Sequence, residues 1–282
     1  MEQAQTTDLK ASRLLLADGV AELSHQRPAV RNALSEELKQ DYIEVIGRIE
    51  NDPSIRVLII TGSGGSFCAG GDIKRMRARI DSTDPEVLSP DYMRRGLDSS
   101  QRMLKRLREL DVPVISAVDG AAYGAGFGLA LQADFVMAST RAAFCLSFGR
   151  IGAVPDYGVA HTLPRIVGMG RAKELVMTAR RVLADEALSI GLVHSVHAPQ
   201  DLLPQAHAFA RRLTKGARPA LALGKRMLNC SFESDYAASA TLEACAQAIC
   251  LNTPYHAKAA ARFAEGQPLE YDWDRDEQSA AR

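Results

Sequence analysis

Two short apolar runs flank Asp18-Gly19 in RLLLADGVAELS, Arg13 to Ser24. Asp-Gly between such runs is a strong hairpin signal, so the chain is predicted to open on antiparallel strands. In LSEELKQDYIEVIGRIENDPS the apolar residues Leu38, Tyr42, Val45, Ile46 and Ile49 recur at helical spacing, with Ser35 as the cap and Pro53 beyond the end. VLIITG (57–62) is unbroken and β-branched, which predicts a strand covered on both faces. VPVISAV (112–118) repeats that pattern after a helical segment around SSQRMLKRLREL, and DFVMAS (134–139) gives a third strand. Strand and helix alternate, so the predicted core is a parallel α/β layer with right-handed crossovers. ARIDSTDPEVLSP (78–90) is polar and proline-bearing, and is predicted to be a flexible surface loop. After Gly191 the strand signals thin to LVHSVHAP, and four helices are predicted over 202–213, 219–228, 237–251 and 254–264. The tail YDWDRDEQSAAR is expected to fray, and no internal repeat is visible.

The 282 residues suit one large domain or one and a half, with ordinary globular composition at 46% hydrophobic and 24% charged. Lys+Arg and Asp+Glu balance at 34 each, so no global field recruits nucleic acid or an anionic membrane. No run reaches membrane-spanning length and the N-terminal segment lacks a secretory apolar core, which together lead us to expect a cytoplasmic protein. The five cysteines, Cys68, Cys145, Cys230, Cys245 and Cys250, follow no disulfide or zinc spacing and are expected to be reduced and mostly in the core. His194 and His197 lack a third ligand, so no metal site is expected.

Two glycine-rich turns follow two of the predicted strands, GSGGSFCAGGDIKRM and DGAAYGAGFGLALQAD. Neither is a phosphate loop, because no Gly-Lys-Ser/Thr follows, and neither has dinucleotide spacing, because Phe67 and Leu129 stand where the last glycine belongs. The nucleophile-elbow pattern fails as well, since Cys68 replaces its final glycine. Both turns run into helical sequence, with Asp72 as a cap for IKRMRARI and Ala125 just before GFGLALQA. Amides at such helix starts lack partners and can point at a developing negative charge. Two of them aimed at one carbonyl make an oxyanion hole. Tight strand-to-helix turning is the plainer account of either loop alone.

At these residues the chain resembles the crotonase superfamily, the enoyl-CoA hydratase/isomerase enzymes. The resemblance rests on RPAVRNALS (27–35), FCAGGDIK (67–74), PVISAVDGAAYGAGFGLALQAD (113–134) and LPRIVGMGRAKELVMTARRVLADEALSIGLVHSV (163–196), in order across nearly the whole chain. It implies an α/β fold, a crotonase-like spiral of ββα units over residues 1–198, and a helical C-terminal trimerisation region over 199–282. It implies an acyl-CoA thioester as substrate, a homotrimer or dimer of trimers, and no cofactor beyond the substrate's own CoA moiety. The thioester oxygen would sit between the backbone N–H of Gly71 and that of Ala125. Segments matching 31–34 and 69–74 wrap the CoA end in that family, which makes Arg31, Ala33, Ala69, Asp72, Ile73 and Lys74 candidate substrate-binding residues, with Arg31 the candidate for phosphate. A solvent-facing arginine explains Arg31 equally well.

Hydratases of this superfamily set two glutamates across the substrate. The matching positions here are Gly128 and Phe148, so both carboxylates are missing; Phe148 is instead a candidate contact for the substrate. Adding water needs one group to activate it and one to deliver a proton. The acid that remains is Asp156, in the mostly apolar run IGAVPDYG, where burial would raise its pKa toward working pH. Its position matches the catalytic aspartate of the superfamily's isomerases, including the phenylacetate-pathway epoxide isomerase, whose F-x-x-x-G-x-x-P-D run recurs as Phe148, Gly152, Pro155 and Asp156. It also matches the dehalogenase aspartate, but Gln101 and Phe148 stand where that branch has a histidine and a tryptophan. The expected activity is therefore a double-bond shift through a thioester enolate, with Asp156 as acid and base. An enoyl-CoA hydratase with its pair at unexpected positions is the runner-up, and a non-catalytic acyl-CoA or RNA binder is a third reading. Pro-Asp-x-Gly is also ordinary turn chemistry. His161 could line the same pocket or be structural, and Tyr123 and Tyr157 could be pocket walls or core. The basic run Arg102, Lys105, Arg106 and Arg108 reads as a solvated helix face, so neither nucleic acid nor membrane is expected as a partner.

Overall fold

Asp18 and Gly19 both take positive φ, 49° and 76°, the paired left-handed conformation of a tight hairpin turn, in the computed structural model, which describes residues 4–274. The turn joins β2 (Ser12–Ala17) to β3 (Val20–His25), with Ser12 opposite His25 and Ala17 opposite Val20. β1 (Gln5–Asp8) pairs antiparallel with β2 at the sheet edge. From β3 onward the pairing is parallel, through β4 (Val57–Gly62), β5 (Val114–Val118), β7 (Phe135–Ser139) and β10 (Ser195–His197). The order in this seven-stranded sheet is β1-β2-β3-β4-β5-β7-β10. A second sheet of three strands, β6 (Ala121–Tyr123), β8 (Ala143–Cys145) and β9 (Arg181–Leu183), stands beside it. The result is the crotonase-like ββα spiral.

Strand β4 explains its own apolar sequence. Successive side chains point to opposite faces. Leu58 and Ile60 join the cluster with Leu38, Tyr42, Val45, Ile46 and Ile49 of α1 (Glu36–Asn51) and with Met103, Leu104 and Leu107 of α4 (Pro90–Arg108). Val57 and Ile59 join the opposite cluster, against Leu202, Ala206, Ala210 and Leu213 of α9 (Leu202–Thr214). A helix from the C-terminal third thus completes the core of the sheet, although the boundary expected at 198/199 falls ahead of it. Asp41 anchors α1 to the N-terminal strands. Its buried carboxylate accepts from the amides of Lys10 (3.1 Å) and Ala11 (2.8 Å) and from the Ser12 hydroxyl (2.8 Å).

Three expectations need correction. The segment 78–90 is not one loop: α2 (Ile73–Ile80) runs through its start, α3 (Pro85–Leu88) fills its middle, and α4 begins at Pro90. Asp84 and Ser89 cap those helices, accepting from Glu86 N at 2.9 Å and Tyr92 N at 3.1 Å, with proline at the first helical position each time. Cap plus proline is a helix-start signal that the polar composition masks. The tail is partly packed. Trp273 lies 5.0 Å from Phe209 between ring centroids and under the Arg212 guanidinium at 3.7 Å; residues 275–282 of the tail expected to fray lie outside the described ones. Of the cysteines, only Cys68 and Cys145 are buried, while Cys245 on α11 (Tyr236–Leu251) is exposed.

Candidate active site

The segment around Cys68 is held on both sides. Cys68 N donates to Ala121 O and Tyr123 N donates to Cys68 O, both at 2.9 Å, while Ala69 N donates to Arg31 O at 3.0 Å and Leu34 N to Gly70 O at 2.8 Å. The first glycine turn is thereby joined edge to edge with β6, the short strand inside the second. Gly70 carries φ 94°, and a Cβ there would lie 2.7 Å from Tyr123 O, so only glycine allows this approach. Behind the loop, His25 is fully buried between Phe67 O (3.0 Å) and the Tyr42 hydroxyl (2.7 Å). A carbonyl can only accept, so Nδ1 carries the proton and Nε2 accepts from Tyr42. Burial pushes the His25 pKa down to about 4, which keeps the ring neutral.

Two amides emerge from this scaffold. Ala125 opens α5 (Ala125–Ala130), where the first N–H has no intrahelical acceptor. Gly71 faces Leu34 in a parallel bridge whose hydrogen bonds belong to Leu34, so the Gly71 amide points away from it. Both residues line one cavity of about 680 Å³, and Asp156 and Tyr157 line it too. Its remaining walls come largely from α1 through α4.

Among the described residues four carboxylates face this cavity. Glu36 pairs with Lys39 at 3.0 Å and Arg75 at 3.2 Å. Asp72 meets Arg27 at 3.3 Å and caps α2, accepting from Lys74 N and Arg75 N. Glu86 pairs with Arg95 at 2.8 Å. Asp156 has no such partner. Its Oδ1 is buried without a hydrogen bond, and burial raises its pKa to about 6. The carboxyl therefore sits near half-ionisation at mildly acid pH, the condition under which one group can both take and return a proton.

Asp156 is presented by a turn in which Tyr157 has φ 51° and Gly158 φ 77°. Tyr157 is buried, and a Cβ on Gly128 would lie 2.7 Å from Tyr157 Cβ and 3.0 Å from Tyr157 O. The space a side chain at 128 would need is already filled.

Of the other candidates, only Asp72 lines the cavity. Arg31, Ile73 and Lys74 are exposed, Ala69 is half-buried, and Ala33 is buried with its carbonyl accepting from Arg27 Nη1 at 2.7 Å. Phe148 is in the core behind Gly124, away from the cavity wall. His161 and Gln101 line a different cavity of about 620 Å³ on the far side of the Asp156 turn. Pattern reading missed Met76, Val87, Tyr92, Met93, Leu97 and Ser100, which wall the site from α2, α3 and α4. Their signal is the i, i+4, i+7 spacing of Met93, Leu97 and Ser100, hidden by the many charges of α4. Among the described residues no group of three or more His, Cys, Asp or Glu side chains gathers to hold a metal, and no helix is long and apolar enough to cross a membrane.

The sequence profile of the family described as "Enoyl-CoA hydratase/isomerase" matches residues 16–274. The chain belongs to the enoyl-CoA hydratase/isomerase family. It is thus an enzyme acting on CoA thioesters, which sets aside the reading as a non-catalytic binder. It is 34% identical over 252 residues to a short-chain-enoyl-CoA hydratase of Clostridium acetobutylicum, covering 89% of this chain and 93% of that one. It is also 34% identical over 211 residues to a 1,2-epoxyphenylacetyl-CoA isomerase of Escherichia coli, covering 75% and 79%. Among solved structures, an enoyl-CoA hydratase/isomerase from Cupriavidus metallidurans superposes with TM-score 0.88 at 37% identity, covering 94% of this chain and 97% of that chain. Identity to the hydratase and to the isomerase is equal, but the hydratase match covers more of both chains, so the comparisons favour hydratase chemistry and an isomerase reading has to rest on the site.

Proposed function

We propose that this enzyme is a CoA-thioester isomerase that moves a double bond through an enolate. The thioester oxygen accepts from the amides of Gly71 and Ala125, which draws electron density from the acidic carbon as the proton leaves. The Asp156 carboxylate takes that proton at one carbon and the resulting carboxylic acid returns it two carbons along, so the enzyme ends as it began and the product has the substrate's mass. The observation that carries this reading is that, among the described residues, Asp156 is the carboxylate facing the cavity that has no cationic partner. The epoxide-isomerase branch is the one whose active-site pattern this chain follows most closely. Arg31, Ala33, Ala69, Ile73 and Lys74, each within three residues of the cavity-lining Leu34, Gly71 or Asp72, are assigned to the CoA end, with the exposed Arg31 guanidinium for phosphate.

Offering the protein a 2-enoyl-CoA and a 3-enoyl-CoA in parallel tests this. Migration of the double bond without change of mass is expected, with kcat/KM rising as pH passes through about 6, because the protonated acid cannot accept a proton. Gain of one water by the 2-enoyl substrate would favour the second reading, an enoyl-CoA hydratase, to which the Clostridium relative's name points.

We further assign the faces of α10 (Arg218–Asn229), α11 and α12 (Pro254–Ala264) to a homotrimer or dimer of trimers. Leu228, Tyr236, Ile249 and Phe263 on these helices, with Phe232 between the first two, are 55% to 89% exposed, an apolar surface unusual for a lone chain. Sedimentation equilibrium should return a trimer or hexamer; a monomer would refute the assignment.

A further inference from the structure

The turn carrying Asp156 is a thin partition. Asp156 and Tyr157 face the active-site cavity, while Gly158 and Gln132 face the cavity of about 620 Å³ behind it. The backbone here is held in a conformation that a tyrosine seldom adopts, φ 51° at Tyr157. What spans the back of the turn is the Gln132 side chain, 5% exposed, just past the end of α5. Its Nε2 donates to Tyr157 O and to Gly128 O, both at 3.0 Å. Both partners are carbonyls, so the bonding atom is the amide nitrogen and both of its hydrogens are used. One side chain thus ties the turn to the helix whose first amide is assigned to the thioester oxygen.

We propose that Gln132 is the positioning residue that holds Asp156 at a fixed distance from the Ala125 amide, by bracing the left-handed Tyr157 turn against α5. This rests on the reading of Asp156 as the proton carrier, and its test is chosen to be separable from that reading. The charged groups on the cavity side are Glu36 and Lys39 of α1, Asp72, Arg75 and Arg79 at α2, and Glu86 and Arg95. Behind the turn they are Lys105, Arg108 and Glu109 of α4, His161, Arg226 and Glu233. The Gln132 side chain hydrogen-bonds to none of them, so a change in Asp156 titration on its substitution is expected to report the position of Asp156.

The experiment compares wild type with Gln132→Met, which keeps the volume and removes both donors. The Asp156 carboxyl is titrated by NMR on protein labelled with 13C at aspartate Cγ, with Asp156→Asn identifying the signal. With the brace gone, the carboxyl is expected to reach water, and its midpoint should fall by about one unit or more toward the ordinary 3.8. On the isomerised enoyl-CoA, kcat is expected to drop about 10- to 100-fold with KM within about twofold, since misplacing a reacting group by an ångström costs on that order. A wild-type midpoint in folded Gln132→Met overturns the proposal whatever its rate. Should that variant not fold, Gln132→Asn adds no charge and keeps an amide on a side chain one carbon shorter, which reaches at most one of the two carbonyls; its midpoint should lie between, and a wild-type midpoint overturns the proposal equally. If neither protein isomerises any thioester, the reaction is misread, and the titration still decides the placement.

Discussion

Asp156→Asn is expected to lower kcat for double-bond migration by roughly 10³-fold, within the range that a positioned acid and base contribute, while KM for the CoA thioester changes little. Asparagine keeps the size and polarity of the side chain, so the loss reports the missing proton acceptor. The same variant should be more stable than wild type at neutral pH. The folded pKa of about 6 lies above the ordinary 3.8, so between those values the folded protein binds more protons than the unfolded chain. Stability therefore falls as pH rises through that window, and the asparagine carries no such cost. Urea denaturation near pH 4 and near pH 7 should show the gain only at the higher pH. Wild-type kcat in the variant would sink the proton-carrier role and leave Pro-Asp-Tyr-Gly as a turn.

Ala125→Pro is expected to lower kcat by roughly 10² to 10³-fold, the loss found when one oxyanion donor is removed, or about 2.7–4 kcal/mol. Ala125 is the first residue of α5, a position where proline fits the helix and where no intrahelical bond is forfeited. The helix should therefore persist while the N–H is lost. Circular dichroism checks the first expectation and steady-state kinetics the second. A variant impaired in KM alone, with kcat intact, would mean that the amide binds substrate without stabilising charge in the transition state.

The hairpin at Asp18-Gly19, the α1 stripe and the two-sided strand β4 were legible because each is fixed by local periodicity or by one turn. The end of α2, all of α3 and the start of α4 read as one loop because proline and charge dominate residues 78–90, although Asp84-Pro85 and Ser89-Pro90 are start signals in their own right. Those helices wall the cavity, so half of the site was invisible to pattern. The meeting of Gly71, Ala125 and Asp156 has no local signature either. It depends on which strands become neighbours, and the sequence offered it only through resemblance to a family. The packing of Trp273 under Arg212 was hidden for a similar reason, since its partners lie far back along the chain.

The overlap between Gly128 and Tyr157 bears on how such a site can change over evolutionary time. A Cβ at 128 and the Tyr157 turn compete for one volume. A carboxylate growing from α5 and a carboxylate presented by that turn are thus alternatives, and a lineage cannot acquire the first by one substitution while keeping the second as it stands. Substitutions at positions 128 and 157 are therefore expected to be epistatic. A path between two-carboxylate and one-carboxylate chemistry on this scaffold must remodel the turn before, or together with, the helix, and a mutation scored as damaging in one background becomes permissive in the other.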